Sequence, residues 1–200
     1  MNVRKTSLNP GCCYHIYNRG VNSQNIFFEP KNYHYFLERY AVYVHPFVNT
    51  LAYCLLGNHF HLLVRVKDEE ELRKVITKNH ERPLSWHVSN AFGSFFQSYT
   101  RGMNKVYGRT GPLLEESFKR KEVDNDTYLT RLIYYIHQNP QRHGMAEDFK
   151  DYPYSSYQAH LGQAPTKLDR ATVISWFGNT NNYIVGHSGS VGLSEDWFLE

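Results

Sequence analysis

Hydrophobic positions change their period several times along this chain, and each change predicts an element. Cys12–Asn18 alternates as a first strand closed by the turn signal Arg19-Gly20. Pro30 suits the first turn of a helix running to about Val44, with Tyr33, Phe36, Leu37, Tyr40 and Val44 as its buried stripe. Val48–Leu56, apolar on both faces, predicts a central strand. The turn signal Gly57-Asn58 joins it to a run ending at Val66, so the two form a hairpin. Lys67–Arg73 is a charge run read as solvated surface. Leu84–Tyr107 predicts a long helix carrying Phe92, Phe95, Phe96, Tyr99 and Met103, weakened by Gly93 and Gly102. Gly108–Pro112 is a loop, and Leu113–Val123 predicts another strand.

Asp124 or Asn125 can cap a further helix, where Leu129, Leu132, Ile133 and Ile136 take the i, i+3, i+4, i+7 spacing of a buried stripe. That helix should stop near Asn139, because Pro140 disfavours helical geometry in the residue before it. The expected organisation is a main domain over residues 1–145 and an appendage over 146–200. In the appendage, Tyr152–Tyr157 packs back on the domain and Asp169–Phe177 forms a short helix. Asn179–Gly192 is irregular, and Trp197-Phe198 docks on the domain or on a partner.

Two of these elements carry candidate chemistry. In Gly57-Asn58-His59-Phe60-His61-Leu62-Leu63-Val64 the side chains alternate, so His59 and His61 share one face while Phe60, Leu62 and Val64 pack behind them. Their imidazoles start about 6.6 Å apart, close enough to converge on one ion. The alternative is a pair of partly exposed strand histidines. His15 shares a face with Cys13 and Tyr17 and reads as structural. On the late helix, Tyr128, Tyr135 and Asn139 form a second stripe roughly 90° from the buried one, and Tyr135 and Asn139 stack one turn apart. They either serve a site or merely line a packing seam.

Composition adds little until the aromatics are counted. The chain has 200 residues, 41% of them hydrophobic, and a net charge of +3, which fits an ordinary globular protein. No run approaches the about 18–20 apolar residues of a membrane span, and the opening residues lack a signal-peptide core. Three cysteines without framework or zinc-ribbon spacing make a reducing cytoplasm the expected compartment. Sixteen Tyr and twelve Phe beside clustered Arg and Lys suit stacking on bases and contacting phosphates. Arg101, Lys105, Arg109, Lys119, Arg120 and Lys121 form the candidate phosphate-contacting surface, with a solvated basic face as the alternative.

Together these segments resemble a family. The Gly57–Val64 stretch is similar to the His-hydrophobic-His motif of the single-tyrosine HUH transposases. Tyr135-Ile136-His137-Gln138-Asn139-Pro140 resembles the nucleophile helix of their REP-associated branch, and Tyr14–Val21 and Tyr154–Tyr157 fit that branch too. The resemblance covers about residues 10–160 in the family's order. It implies an α+β, ferredoxin-like fold: a mostly antiparallel sheet with helices packed on one face, plus the C-terminal appendage. It also implies that His59, His61 and Asn139 are metal ligands and that Tyr135 is the nucleophile.

The residue chemistry agrees with those roles. A tyrosine hydroxyl has a pKa of about 10, so a divalent cation and a bound phosphate beside it would help it attack. Two imidazoles and an amide oxygen leave coordination positions open and favour Mg²⁺ or Mn²⁺. The expected activity is metal-dependent cleavage and strand transfer of single-stranded or hairpin DNA through a 5′-phosphotyrosine, by a monomer or homodimer with no membrane partner. Two readings compete with it. One is a catalytically silent DNA-binding protein of the same fold; the other is a metal phosphodiesterase in which water attacks.

Overall fold

A computed structural model describes residues 6–188. Four strands, β1 (Cys13–Arg19), β2 (Val48–Leu56), β3 (His59–Val66) and β4 (Lys119–Val123), form one sheet in the order β2-β3-β1-β4. Every pairing is antiparallel. The helices are α1 (Pro30–Tyr43), α2 (Glu69–Val75), α3 (Leu84–Tyr107), α4 (Asp126–Arg142), α5 (Tyr157–Leu161), α6 (Arg170–Trp176) and α7 (Thr180–Ser188). The order β1-α1-β2-β3-α3-β4 with β1 and β3 at the centre is the ferredoxin-like α+β arrangement.

Alternation along the strands separates two cores. Tyr14 and Ile16 of β1 and Phe60, Leu62, Val64 and Val66 of β3 meet α1 and α3 on one face, through Phe36, Phe92, Phe95 and Tyr99. Burying a side chain of that size contributes about 1.5–3 kcal/mol, so this layer holds the sheet flat against its helices. The opposite face is covered as well, which corrects the expectation of helices on one face only. There Cys13, Cys54, Leu56 and Leu63 meet Leu129, Leu132, Ile133 and Ile136 of α4, together with Phe149, Tyr157, Val173 and Tyr183 from the C-terminal segments. The apolar stripe of α4 needs a second surface, and the sheet face left open by α1 and α3 supplies it.

Other elements also differ from expectation for physical reasons. The charge run contains α2, whose residues Glu69–Glu71 sit in the first turn and Arg73 and Lys74 in the last, each complementing the helix dipole. Glu69–Arg73 and Glu70–Lys74 form i,i+4 pairs, and Leu72 anchors the helix in the core. Only Lys119–Val123 of the expected strand 113–123 pairs regularly; Leu113, Leu114 and Phe118 plug the core, and Ser117 has φ 61°, outside extended geometry. The helix expected to stop near Asn139 runs on to Arg142 with Pro140 inside it. In the last turn the proline forfeits one backbone bond, while the amide of His143 still donates to the Asn139 carbonyl. Within the segment expected to be irregular, 180–188 is helical, held by Tyr183 and His187 buried one turn apart; Trp197-Phe198 lies outside the described residues. Among the described residues no helix is long and apolar enough to cross a membrane.

Candidate active site

The site lies on the α4 face of the two central strands. Register places Tyr17 opposite His61 and Arg19 opposite His59, and on the other side of β3 Cys54 opposite His61. His59 and His61 are 6% and 1% exposed, so they are buried groups and not partly exposed strand histidines. Their ring centroids are 5.2 Å apart with the planes nearly perpendicular.

Each ring is oriented through Nδ1. His59 Nδ1 donates to the side-chain oxygen of Asn58 at 2.7 Å, and the Asn58 amide is turned that way because its nitrogen donates to the Ser23 carbonyl at 3.2 Å. His61 Nδ1 shares a 3.0 Å hydrogen bond with His15 Nε2. His59 thus carries its proton on Nδ1 and its lone pair on Nε2, the form in which imidazole binds a metal ion, and the bond to His15 occupies Nδ1 of His61 and leaves its Nε2 for the same role. The loop after β1 supports this arrangement. Gly20 donates to the Asn58 carbonyl at 2.8 Å, and a Cβ at Gly20 would overlap the Gln24 carbonyl oxygen.

Helix α4 brings the third group. The Tyr135 ring stands edge-on to His61 at 5.5 Å and to His15 at 6.5 Å. Two turns later, His143 stands 5.0 Å from His59. Tyr135, Asn139 and His143 are i, i+4 and i+8 on one helix face, so a series anchored at His61 and His59 puts Asn139 between them. Asn139 is 1% exposed; its Nδ2 donates to the Tyr135 carbonyl, and its Oδ1 is a buried acceptor with no hydrogen-bond partner among the described residues. A buried amide oxygen in that state costs about 1–3 kcal/mol, and a cation would satisfy it. His59, His61 and Asn139 therefore fit a divalent ion through two imidazoles and an amide oxygen. His137, between Tyr135 and Asn139 in sequence, faces away and bonds Ser156 and His187.

The predicted basic surface is divided by the sheet. Lys119 and Lys121 pair with Tyr17 and His15 across β1 and β4, hence share the site face, and sit over the rings of Tyr17 and Tyr128. Arg120 points to the opposite face, bonded to Ser89 and stacked on Phe118. Arg101 and Lys105 lie on α3, and Arg109 stacks on Phe28. One further cation was not predicted: Arg142 reaches over the Tyr135 ring at 5.6 Å. Glu122 pairs opposite Tyr14 and so points away from this face. The cations Lys119, Lys121 and Arg142 thus surround an aromatic and imidazole floor, which suits an anion such as a backbone phosphate.

No family model matches the chain. It is 28% identical over 116 residues, 56% of its length, to a Haemophilus influenzae protein named "Putative REP-associated tyrosine transposase". The match spans 60% of that relative's own length. Among solved structures, that of a REP-associated tyrosine transposase bound to a REP hairpin superposes with a TM-score of 0.58 at 12% identity, over 82% of this chain and 92% of that one. The fold of the chain is that of this transposase.

Proposed function

We propose that this chain, allied by sequence and fold with the REP-associated tyrosine transposases, cleaves and rejoins single-stranded DNA through a covalent 5′-phosphotyrosine on Tyr135. The observation that carries this reading is the placement of the Tyr135 ring 5.5 Å from His61, on the face shared with His59 and within one chain. In the reaction the phenolic oxygen of Tyr135 bonds to the scissile phosphorus as its proton leaves to solvent. The bond to the 3′ oxygen breaks, and that oxygen takes up a proton to become a 3′-hydroxyl. One phosphodiester replaces another, so a new 3′-hydroxyl can reverse the step without a nucleotide cofactor.

His59, His61 and Asn139 would hold Mg²⁺ or Mn²⁺, which when bound supplies Lewis-acid charge to the scissile phosphate. Asn58 and His15 keep the two imidazoles turned to that task. Arg142 offsets charge growing on the phenol and phosphate, and Lys119 and Lys121 steer the flanking phosphates. All of these residues fall within 1–145, so one chain would suffice. The substrate class is a strand carrying a hairpin, as in the hairpin complex of the structural relative.

The test is incubation of hairpin-bearing oligonucleotides with the protein and Mn²⁺. A covalent protein–DNA adduct should form, vanish with Tyr135→Phe, and require His59 and His61. Cleavage without an adduct in Tyr135→Phe would instead assign the attack to water, and an adduct in that variant would remove Tyr135 from its role.

A further inference from the structure

On the face of the sheet turned away from Tyr135, α3 and residues 111–120 enclose a groove of about 570 Å³, the size of a small-molecule site. Three features of its lining point to a ligand. Gly93 lies in the middle of α3, where glycine is unfavourable relative to alanine. A Cβ at Gly93 would meet nothing within 4 Å, whereas one at Gly102 of the same helix would overlap the Tyr35 ring. Gly102 is thus required by a close neighbour, and Gly93 only keeps the groove open. Secondly, half-buried Arg120 donates to Ser89 at 2.7 Å and stacks on Phe118, yet among the described residues no carboxylate forms an ion pair with it and its buried Nε has no hydrogen-bond partner; burial pulls its pKa down. Thirdly, Asn104 donates through Nδ2 to the Gly111 carbonyl at 2.8 Å, which turns Oδ1 the other way as a buried acceptor without a partner among the described residues.

These groups are complementary to one chemical class. The half-buried guanidinium of Arg120 and the exposed one of Arg101 ask for an anion. The Asn104 oxygen asks for a donor, and the edges of Phe96 and Phe118 offer an apolar wall. Glu115 is the acid in the lining, and it forms no ion pair with either arginine among the described residues. The groove also neighbours the candidate active site. Asn18 lines both the groove and the cleft beside His59 and His61. Between them runs β4, the edge strand, where Lys119 faces the site and Arg120 the groove.

We infer that this groove binds one unpaired nucleotide of the DNA strand being processed, its phosphate on Arg101 and Arg120 and the exocyclic amino group of its base on the Asn104 oxygen. The inference rests on the reading of the chain as a single-strand DNA enzyme. A strand crossing the β4 edge would meet Lys119 and Arg120 in turn, so the groove would fix how far the scissile phosphate lies from a held base. Thymine, which has no amino group, should be the poorest occupant.

Anisotropy of fluorescein-labelled oligo(dC) and oligo(dT) decamers with EDTA present decides the matter without catalysis. Oligo(dC) should bind at least about 3-fold tighter than oligo(dT), and Asn104→Ala should erase that preference. Gly93→Leu, which fills the groove, should weaken both by about 10-fold. Arg101→Gln, at an exposed position where folding is not at stake, should lower affinity and reduce the salt slope by about 1. Equal binding of the two decamers by the unaltered protein, or unchanged binding by Gly93→Leu or Arg101→Gln, would overturn the proposal. Adduct formation on Tyr135 is scored separately with Mn²⁺: its failure would strike the transesterase reading and leave the groove result standing.

Discussion

His15 and His61, on neighbouring strands and 46 residues apart in sequence, share a 3.0 Å hydrogen bond with their rings stacked at 5.2 Å. The bond occupies Nδ1 of His61 and leaves its Nε2 turned away from His15, so His15 acts as a positioning residue for a candidate metal ligand rather than as a ligand. Outer partners of this kind are typically worth 10–100-fold in metal affinity. His15→Phe keeps the stacked shape and removes the bond. Titration calorimetry with Mn²⁺ should show affinity lowered by about 10-fold, with little change in unfolding temperature without metal. His15→Gln, which can accept from His61 again, should recover part of the loss.

Asn139 offers a test in which stability and function move in opposite directions. Its buried Oδ1 has no partner among the described residues, so the metal-free protein carries the cost of that group. Asn139→Leu should leave the metal-free protein unchanged or more stable by about 1 kcal/mol in urea unfolding. It should also abolish the rise in unfolding midpoint that Mn²⁺ gives the unaltered chain through binding only the folded state. A variant both less stable and still stabilised by Mn²⁺ would mean that Asn139 is a packing residue.

The connection between two distant motifs makes a third prediction. Gly20 closes the first strand and donates to the Asn58 carbonyl, while Asn58 orients His59. Gly20→Ala forces the Gln24 carbonyl to move and should cost about 1–3 kcal/mol in unfolding free energy. Because Asn58 moves with it, Mn²⁺ affinity should fall as well. Asn58→Ala should reproduce the loss of affinity with a smaller loss of stability.

These relationships show how much was legible beforehand. The hairpin, the long α3 and the alternation placing His59 beside His61 follow from local periodicity, which strands and helices impose directly on sequence. The i,i+4 pair Tyr135 and Asn139 was legible for the same reason. Partners across the sheet were not: His15 meets His61 through register, which no local pattern encodes. His143 and Arg142 lay past Pro140, read as a terminator, although tertiary packing carries α4 one turn further. The basic residues read as one surface because their sequence positions are close, yet adjacent residues of β4 point to opposite faces. The side of the sheet that α4 covers is a tertiary choice, fixed by which face α1 and α3 leave bare.

The last prediction concerns acid. His137, His160 and His187 are buried together between α4, α5 and α7, with His137 bonded to His187 at 2.8 Å and to Ser156 at 2.7 Å. Burial, the largest cause in each case, holds His160 and His187 down to about 4 and His137 well below the ordinary imidazole value. The unfolded chain protonates these rings near pH 6.5, whereas in the folded chain His160 and His187 do not protonate until the pH reaches about 4. Between those values the unfolded state binds more protons, so stability falls as pH falls, and above about 6.5 these groups contribute no slope. From pH 7.5 to 5, His160 and His187 each remove about 2 kcal/mol. His160→Leu should flatten the curve by that amount, measured by urea unfolding at the two pH values. Because the same cluster packs α7 against the helix that carries Tyr135, acid should loosen the C-terminal helices before the α1–α3 core, and hydrogen exchange at pH 5 would show amides of α7 opening ahead of those of β3.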